Sequence, residues 1–139
     1  MNEEPRRLPE LLRYHGFEYR MVIRNKYAII YEQWTTKYTT AQTAFRDPNE
    51  PLHHVGYEIH QIRIKEPHRS VRHGKNGELI EINLPLREVW ASDEEFGDYG
   101  WQYQTLNAAE RKYIQVTKKC QRKKNNERKK FPNEIQALD

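Results

Sequence analysis

The stretch that decides the fold is Asp93–Thr117, DEEFGDYGWQYQTLNAAERKYIQVT. It divides into a single helical turn, a short aromatic strand and the chain's only long helix. Ser92 stands three positions before Glu95. That is the spacing of a capping box, in which the hydroxyl accepts from the Glu95 amide and the carboxylate reaches back to the Ser92 amide. Gly97 then stops the turn. Tyr99, Trp101 and Tyr103 alternate with Gly100 and Gln102, so the rings share one face of a strand. Thr105 is a natural N-cap for the helix that follows. Leu106, Ala109, Tyr113 and Val116 form one stripe along it. The stripe is modest and suits packing on one face of a sheet. Two readings of the aromatic residues stand side by side: core, or a stacking platform for nucleic-acid bases.

Upstream, LPELLRYHG at 8–16 predicts a short helix starting at Pro9 and ending at Gly16, with Leu8, Leu11 and Leu12 on its buried side. From 17 to 24, Phe17, Tyr19, Met21 and Ile23 alternate with Glu18, Arg20 and Arg24, the pattern of a half-buried strand. Asn25-Lys26 suits a two-residue turn, and YAIIYEQW at 27–34 is the returning strand. Residues 35–53 are a long polar connection with a turn signal at DPNEP and room for an extra strand at 36–45. In VGYEIHQIRIK at 55–65, the apolar phase slips between Ile59 and Ile62. Either a β-bulge restores the phase or the strand is buried on both faces. Residues 66–77 are basic and end in a Lys75-Asn76-Gly77 turn. Ile80, Ile82 and Leu84 then alternate with Glu81 and Asn83 up to Pro85, which ends the strand or marks a sheet edge. The expected architecture is α+β: a four- or five-stranded, mostly antiparallel sheet with a short N-terminal helix and a C-terminal helix packed on one face.

With 36% hydrophobic and 32% charged residues, the 139-residue chain suits one domain with a core of moderate size, helped by 12% aromatics. It has no apolar run long enough to span a membrane and no apolar region near its start of the kind a signal peptide carries. The single Cys120 excludes an internal disulfide. A cytoplasmic protein is expected. The charge is uneven. Residues 1–117 hold 16 Lys and Arg against 17 Asp and Glu, whereas residues 118–130 hold 8 basic residues and one acid. The expected division is a single domain over 1–117 and a basic, flexible tail over 118–139, with the helix fraying near residue 119 and Pro132 barring a continuous helix to the end.

That tail is the main chemical clue. Lys118, Lys119, Arg122, Lys123, Lys124, Arg128, Lys129 and Lys130 are candidates to neutralise phosphates, with Trp101 as a candidate for stacking on bases. Arg63, Lys65, Arg69 and Arg72 would add to the patch if they lie nearby. Such contacts position a nucleic acid without reading its sequence. The plainer alternative is a solubilising tail. Glu58 and His60 share a strand face at a spacing that permits chelation, but the third and fourth ligands of a metal site have no matching motif. There is no Gly-x-Ser-x-Gly elbow, no P-loop and no GxGxxG. The carboxylates at 93–95 suit the charge of a helix start. No catalytic residue, metal or cofactor is expected, and the chain is expected not to be an enzyme.

Three stretches carry a resemblance: LPELLRYHGFEYRMVIRNKYAIIYEQ, GYEIHQIRIK and DEEFGDYGWQYQTLNAAERKY. Together they resemble a family of small uncharacterised proteins found in bacteriophages and mobile elements of gut bacteria. The recurring pattern is a Leu-Pro-Glu-Leu start, a Gly-Tyr-Glu strand, an acidic-Phe-Gly turn and a Trp-containing strand before the last helix. The loop at 35–53 and the basic tail fall outside it. The resemblance implies a setting and no activity. The expected function is non-enzymatic, non-specific binding of nucleic acid. The alternative is a protein-interaction module, such as an inhibitor of a host factor.

Overall fold

A computed structural model describes residues 4–35 and 51–130. The elements in order are β1 (Leu11–Tyr14), β2 (Phe17–Arg24), β3 (Ala28–Thr35), β4 (His53–Gln61), β5 (Arg63–Lys65), β6 (His68–His73), β7 (Leu79–Leu84) and β8 (Arg87–Val89). A 3-10 turn (Asp93–Glu95), β9 (Gly100–Tyr103) and α1 (Leu106–Lys130) complete the series. Five strands form an antiparallel sheet in the order β1-β2-β3-β4-β9. β5 pairs with β8, and β6 with β7, as separate two-stranded ribbons. The helix packs across β3, β4 and β9.

The short N-terminal helix is not formed. Leu11–Tyr14 is a strand instead, paired with β2 from Leu11↔Arg20 to Tyr14↔Phe17. His15 and Gly16, at φ 51 and 83, make the turn between them. Two successive positive φ values match the twist of the flanking strands. A helix of this length is marginal alone, whereas pairing satisfies the backbone along the free edge of β2. Leu8 and Leu12 still reach the core, while Leu11 is left 54% exposed.

The β2–β3 hairpin forms where the alternation places it. Its turn works through a side chain: Asn25 Oδ1 accepts from the Tyr27 and Ala28 amides at 2.8 and 2.9 Å. Its register shifts between Met21 and Ile23. Met21 lies opposite Tyr31, but Ile23 lies opposite Ile30, so Val22 is the bulged residue. Ile23 therefore leaves the face it was expected to share with Met21, and Arg24 takes its place there.

The phase slip in β4 has the second of its two explanations. The β3–β4 ladder is unbroken from Ala28↔Gln61 to Gln33↔Gly56, so there is no bulge at His60-Gln61. The sheet is instead covered on both faces. On the helix side, Ile30, Ile59 and Ala109 are buried with Tyr57, Trp101, Tyr103 and Tyr113 around them. On the other side, Tyr19, Ile29, Tyr31 and Ile62 are buried beneath Leu8, Leu12, Phe17, Met21 and Trp90. Leu8 and Trp90 reach this face from irregular chain, and polar ties hold those segments. The Arg24 guanidinium grips Glu88 at 2.6 and 2.7 Å, and the same carboxylate accepts from the Leu8 amide at 2.9 Å. The Tyr31 hydroxyl donates to the Pro9 carbonyl at 2.7 Å. Burial pushes the Glu88 carboxyl up, but Arg24 and the Leu8 amide outweigh it and hold the group below its ordinary value.

The strand expected over 78–84 forms, but it pairs only with β6. On the face its alternation predicts, Ile82 and Leu84 are half-buried but Ile80 is 44% exposed, and Leu79 on the other face is 70% exposed. At the other end of the chain, α1 does not fray near residue 119 but runs to Lys130. Lys, Arg and Gln are good helix formers, and cations near a helix C-terminus favour the macrodipole. Residues 118–130 are thus helix and not loose tail. The strand considered at 36–45 and the chain from 131 onward, including Pro132, lie outside the described residues. Among those described, no helix is long and apolar enough to cross a membrane.

Replacing Glu88 with Gln should cost about 2 kcal/mol, because Arg24 then keeps a largely buried guanidinium without its charged partner. The Glu88 pKa is depressed on folding from its ordinary 4.5. The carboxylate's contribution is therefore complete above pH 4.5 and is lost as pH falls below it. Urea denaturation should show a gap between wild type and Glu88→Gln that is widest at neutral pH and shrinks on acidification below pH 4.5.

Candidate functional site

The helix concentrates the positive charge. Residues 106–130 hold ten Lys and Arg against two Glu. At about 100° per residue, Arg111, Lys112, Lys118, Lys119, Arg122 and Lys123 fall within an arc of about 140°. Ala108, Gln115 and Asn126 share that arc, and both Glu110 and Glu127 lie outside it. The stripe of Ala109, Tyr113 and Val116 adjoins the basic face, with Val116 about 20° beyond Lys123. Arg111, Lys118, Lys119, Arg122 and Lys123 are exposed to solvent. From Arg111 to Lys123 the face extends about 18 Å. Lys124 lies outside the arc, and Arg128, Lys129 and Lys130 occupy the last turn of the helix.

Trp101 sits beneath this face. Its ring belongs to the cluster around Ile30, Ile59 and Ala109, and its indole N–H donates to the Gly97 carbonyl at 3.1 Å. The Lys112 ammonium lies 4.2 Å from the ring centroid, a cation–π contact that orients the lysine. The ring expected to stack on bases thus props up a basic side chain. Tyr103 joins the same cluster, while Tyr99 carries the Arg63 guanidinium 4.1 Å from its ring. Arg63 also binds Glu95 at 2.6 Å, and Arg69 pairs with Glu81 at 2.8 Å. Both are committed to partners on their own surface. Burial pushes the Cys120 thiol up, against the pull of Lys119 and Lys123, which makes it a poor nucleophile.

The opposite face of the sheet holds a cleft of about 220 Å³. Its floor is Tyr19, Gln33, Glu58 and His60, and Tyr14, Phe17, Trp90 and Phe96 supply aromatic walls. Strand alternation puts Glu58 and His60 on one face, as their spacing predicts, and they bond to each other. The His60 Nδ1 accepts from the Ala91 amide at 3.1 Å. A backbone amide can only donate, so the ring proton resides on Nε2, which donates to Glu58 Oε1 at 2.9 Å. Both ring nitrogens are engaged, so in this arrangement His60 has no lone pair for a substrate proton or a metal. Gly100 lets the strap approach: a Cβ there would stand 2.7 Å from the Ala91 Cβ and 3.3 Å from the His60 Nδ1.

The floor is a connected polar network. Gln102 donates to Gln33, and Gln33 donates to the Tyr19 hydroxyl at 3.2 Å. Burial and the nearby Glu58 charge push the Tyr19 phenol far above its ordinary value, so it is neutral and unsuited to act as a base. Outside the cleft, Arg63 and the Ser92 capping box hold the Glu95 carboxyl down to about 2, which pins the turn that carries Asp93. Among the described residues, no group of three or more His, Cys, Asp and Glu is placed to hold a metal. Sequence reasoning singled out Glu58 and His60 but missed Gln33 and Trp90. The available signal was a glutamine inside the apolar strand YAIIYEQW. Comparison with protein-family models, curated proteins and solved structures finds no match.

The His60 tautomer is directly measurable. A long-range 1H–15N spectrum at pH 7.5 should show the proton on Nε2 and slow exchange of the Ala91 amide. A proton on Nδ1 would contradict the derived bonding.

Proposed function

We propose that the protein is a small non-enzymatic binding protein of phage or mobile-element type that engages nucleic acid through the basic face of α1. The observation that carries this reading is the one-sided arc from Arg111 to Lys123, six cations with no acid among them on a single helix. Duplex DNA presents one negative charge per about 1.7 Å of axis. A face about 18 Å long therefore spans several phosphates and displaces their counterions. The side chains offered are mostly Lys and Arg, which suits backbone contact over base readout. The sequence resemblance supports the setting, and the engaged nitrogens of His60 support a non-enzymatic reading. The second reading, a protein-interaction module, is favoured by one feature: the β6–β7 hairpin exposes Val71, Leu79 and Ile80 to solvent.

Fluorescence anisotropy with labelled oligonucleotides across a salt series tests the first reading. With five or six phosphates contacted, log K should fall against log salt with a slope of about −5 on duplex DNA, and by the same amount for unrelated sequences. The triple variant Lys119→Gln, Arg122→Gln, Lys123→Gln should reduce the magnitude of that slope by about 3. No binding at low salt, or a slope unchanged in the variant, would reject the basic face as the interface.

A further inference from the structure

We infer that the cleft on the sheet face away from α1 is a binding site for a small organic cation, an ammonium or guanidinium group on a short apolar stem. Three properties of the cleft point the same way. Its acidic side chains are Glu58 on the floor and Asp93 at the mouth, His15 and His60 are its only basic ones, and among the described residues no Lys or Arg lines it. Its walls are aromatic rings, whose negative faces attract cations as well as burying a stem. Its floor is pre-organised, because His60 is held from both sides and fixes one Glu58 oxygen by a 2.9 Å bond.

Glu58 supplies the anchor. It is only 6% exposed, and a carboxylate accepts up to about four hydrogen bonds, of which His60 and the Tyr19 hydroxyl supply two. A cationic N–H donor entering the cleft would meet a desolvated negative charge, where a charge-assisted hydrogen bond is strong. Anions are disfavoured by the same carboxylates. The cleft, at about 220 Å³, is smaller than the roughly 300–1,000 Å³ of drug-sized sites. The occupant is therefore a head group and stem, whether of a free alkylamine or of a Lys or Arg side chain from a peptide. The cleft and the basic face lie on opposite sides of the sheet, so the two readings stand or fall separately.

The test is a 1H–15N titration of the full chain at pH 7.5 with n-butylammonium, n-butylguanidinium, neutral n-pentanol and a blocked Gly-Lys-Gly peptide. The Ala91 amide and the Trp90 indole report on the cleft. The cations should shift both signals saturably, and Glu58→Gln should weaken binding at least about tenfold while preserving an acceptor for His60. Asp93→Asn, at an exposed rim position, should weaken it a few-fold and decides the matter if Glu58→Gln fails to fold. A peptide that binds tighter than the free amine assigns the site to a protein side chain, and the reverse assigns it to a free amine. The inference is overturned if n-pentanol shifts the signals as strongly, if the charge-removing variants bind unchanged, or if no cation saturates by about 50 mM, where a Kd of 1 mM is nearly full.

Discussion

The complete burial of the first half of β3 is the constraint on which the rest of the structure depends. Ala28, Ile29, Ile30 and Tyr31 are all inaccessible to solvent, so consecutive residues point to opposite faces and both faces need a cover. Among the described residues there is one long helix, and it lies on the side of Ile30 and Ile59. The other side is closed by short segments with little regular pairing, chiefly the β5–β8 ribbon and the chain around Leu8 and Trp90. Polar side chains hold these segments. Glu88 collects Arg24 and the Leu8 amide, and His60 collects the Ala91 amide. A buried charge or imidazole in a small domain usually signals a function. Here Glu88 and His60 first of all hold a cover in place.

Closing the second face in this way creates the cleft. A helix would lay a continuous apolar stripe over the sheet. The strap from Trp90 to Phe96 instead crosses it with a few large rings and leaves a hollow between them and the β1–β2 turn. The polar floor survives because each group has a partner: Tyr19 with Gln33, Gln33 with Gln102, Glu58 with His60. Such a network keeps its geometry when a ligand arrives, which lowers the ordering cost of binding. The two sides of the sheet are thereby segregated by charge, cations on α1 and carboxylates in the cleft, with the sheet between them.

The failed expectations share a cause. Leu8–Gly16 satisfies the local rules for a helix start and stop, yet the free edge of β2 recruits it as a strand. The 78–84 segment has a clean strand alternation, yet it sits in a hairpin away from the main sheet, so Leu79 and Ile80 face water and Ile82 and Leu84 are only half-buried. Alternation reports that a strand has two faces and says nothing of what covers either one. The helix beyond residue 119 errs the other way. Like charges on one stretch suggested fraying, but spread over successive turns of α1 they leave the backbone helical.

What the sequence by itself determined is local and periodic: the capping box at Ser92–Glu95, the Asn25 turn, the Thr105 cap, the stripe on α1 and the concentration of cations after residue 117. Each depends on neighbours a few positions apart, and their spacing is written in the chain. Tertiary structure alone decided that β3 and β4 are covered twice, that Trp101 serves the core, and that Glu58, His60, Gln33 and Tyr19 meet beneath Trp90. Those outcomes join residues tens of positions apart. They follow from which surfaces remain to be covered once the sheet has formed, a property of the assembled layers that no single stretch of sequence contains.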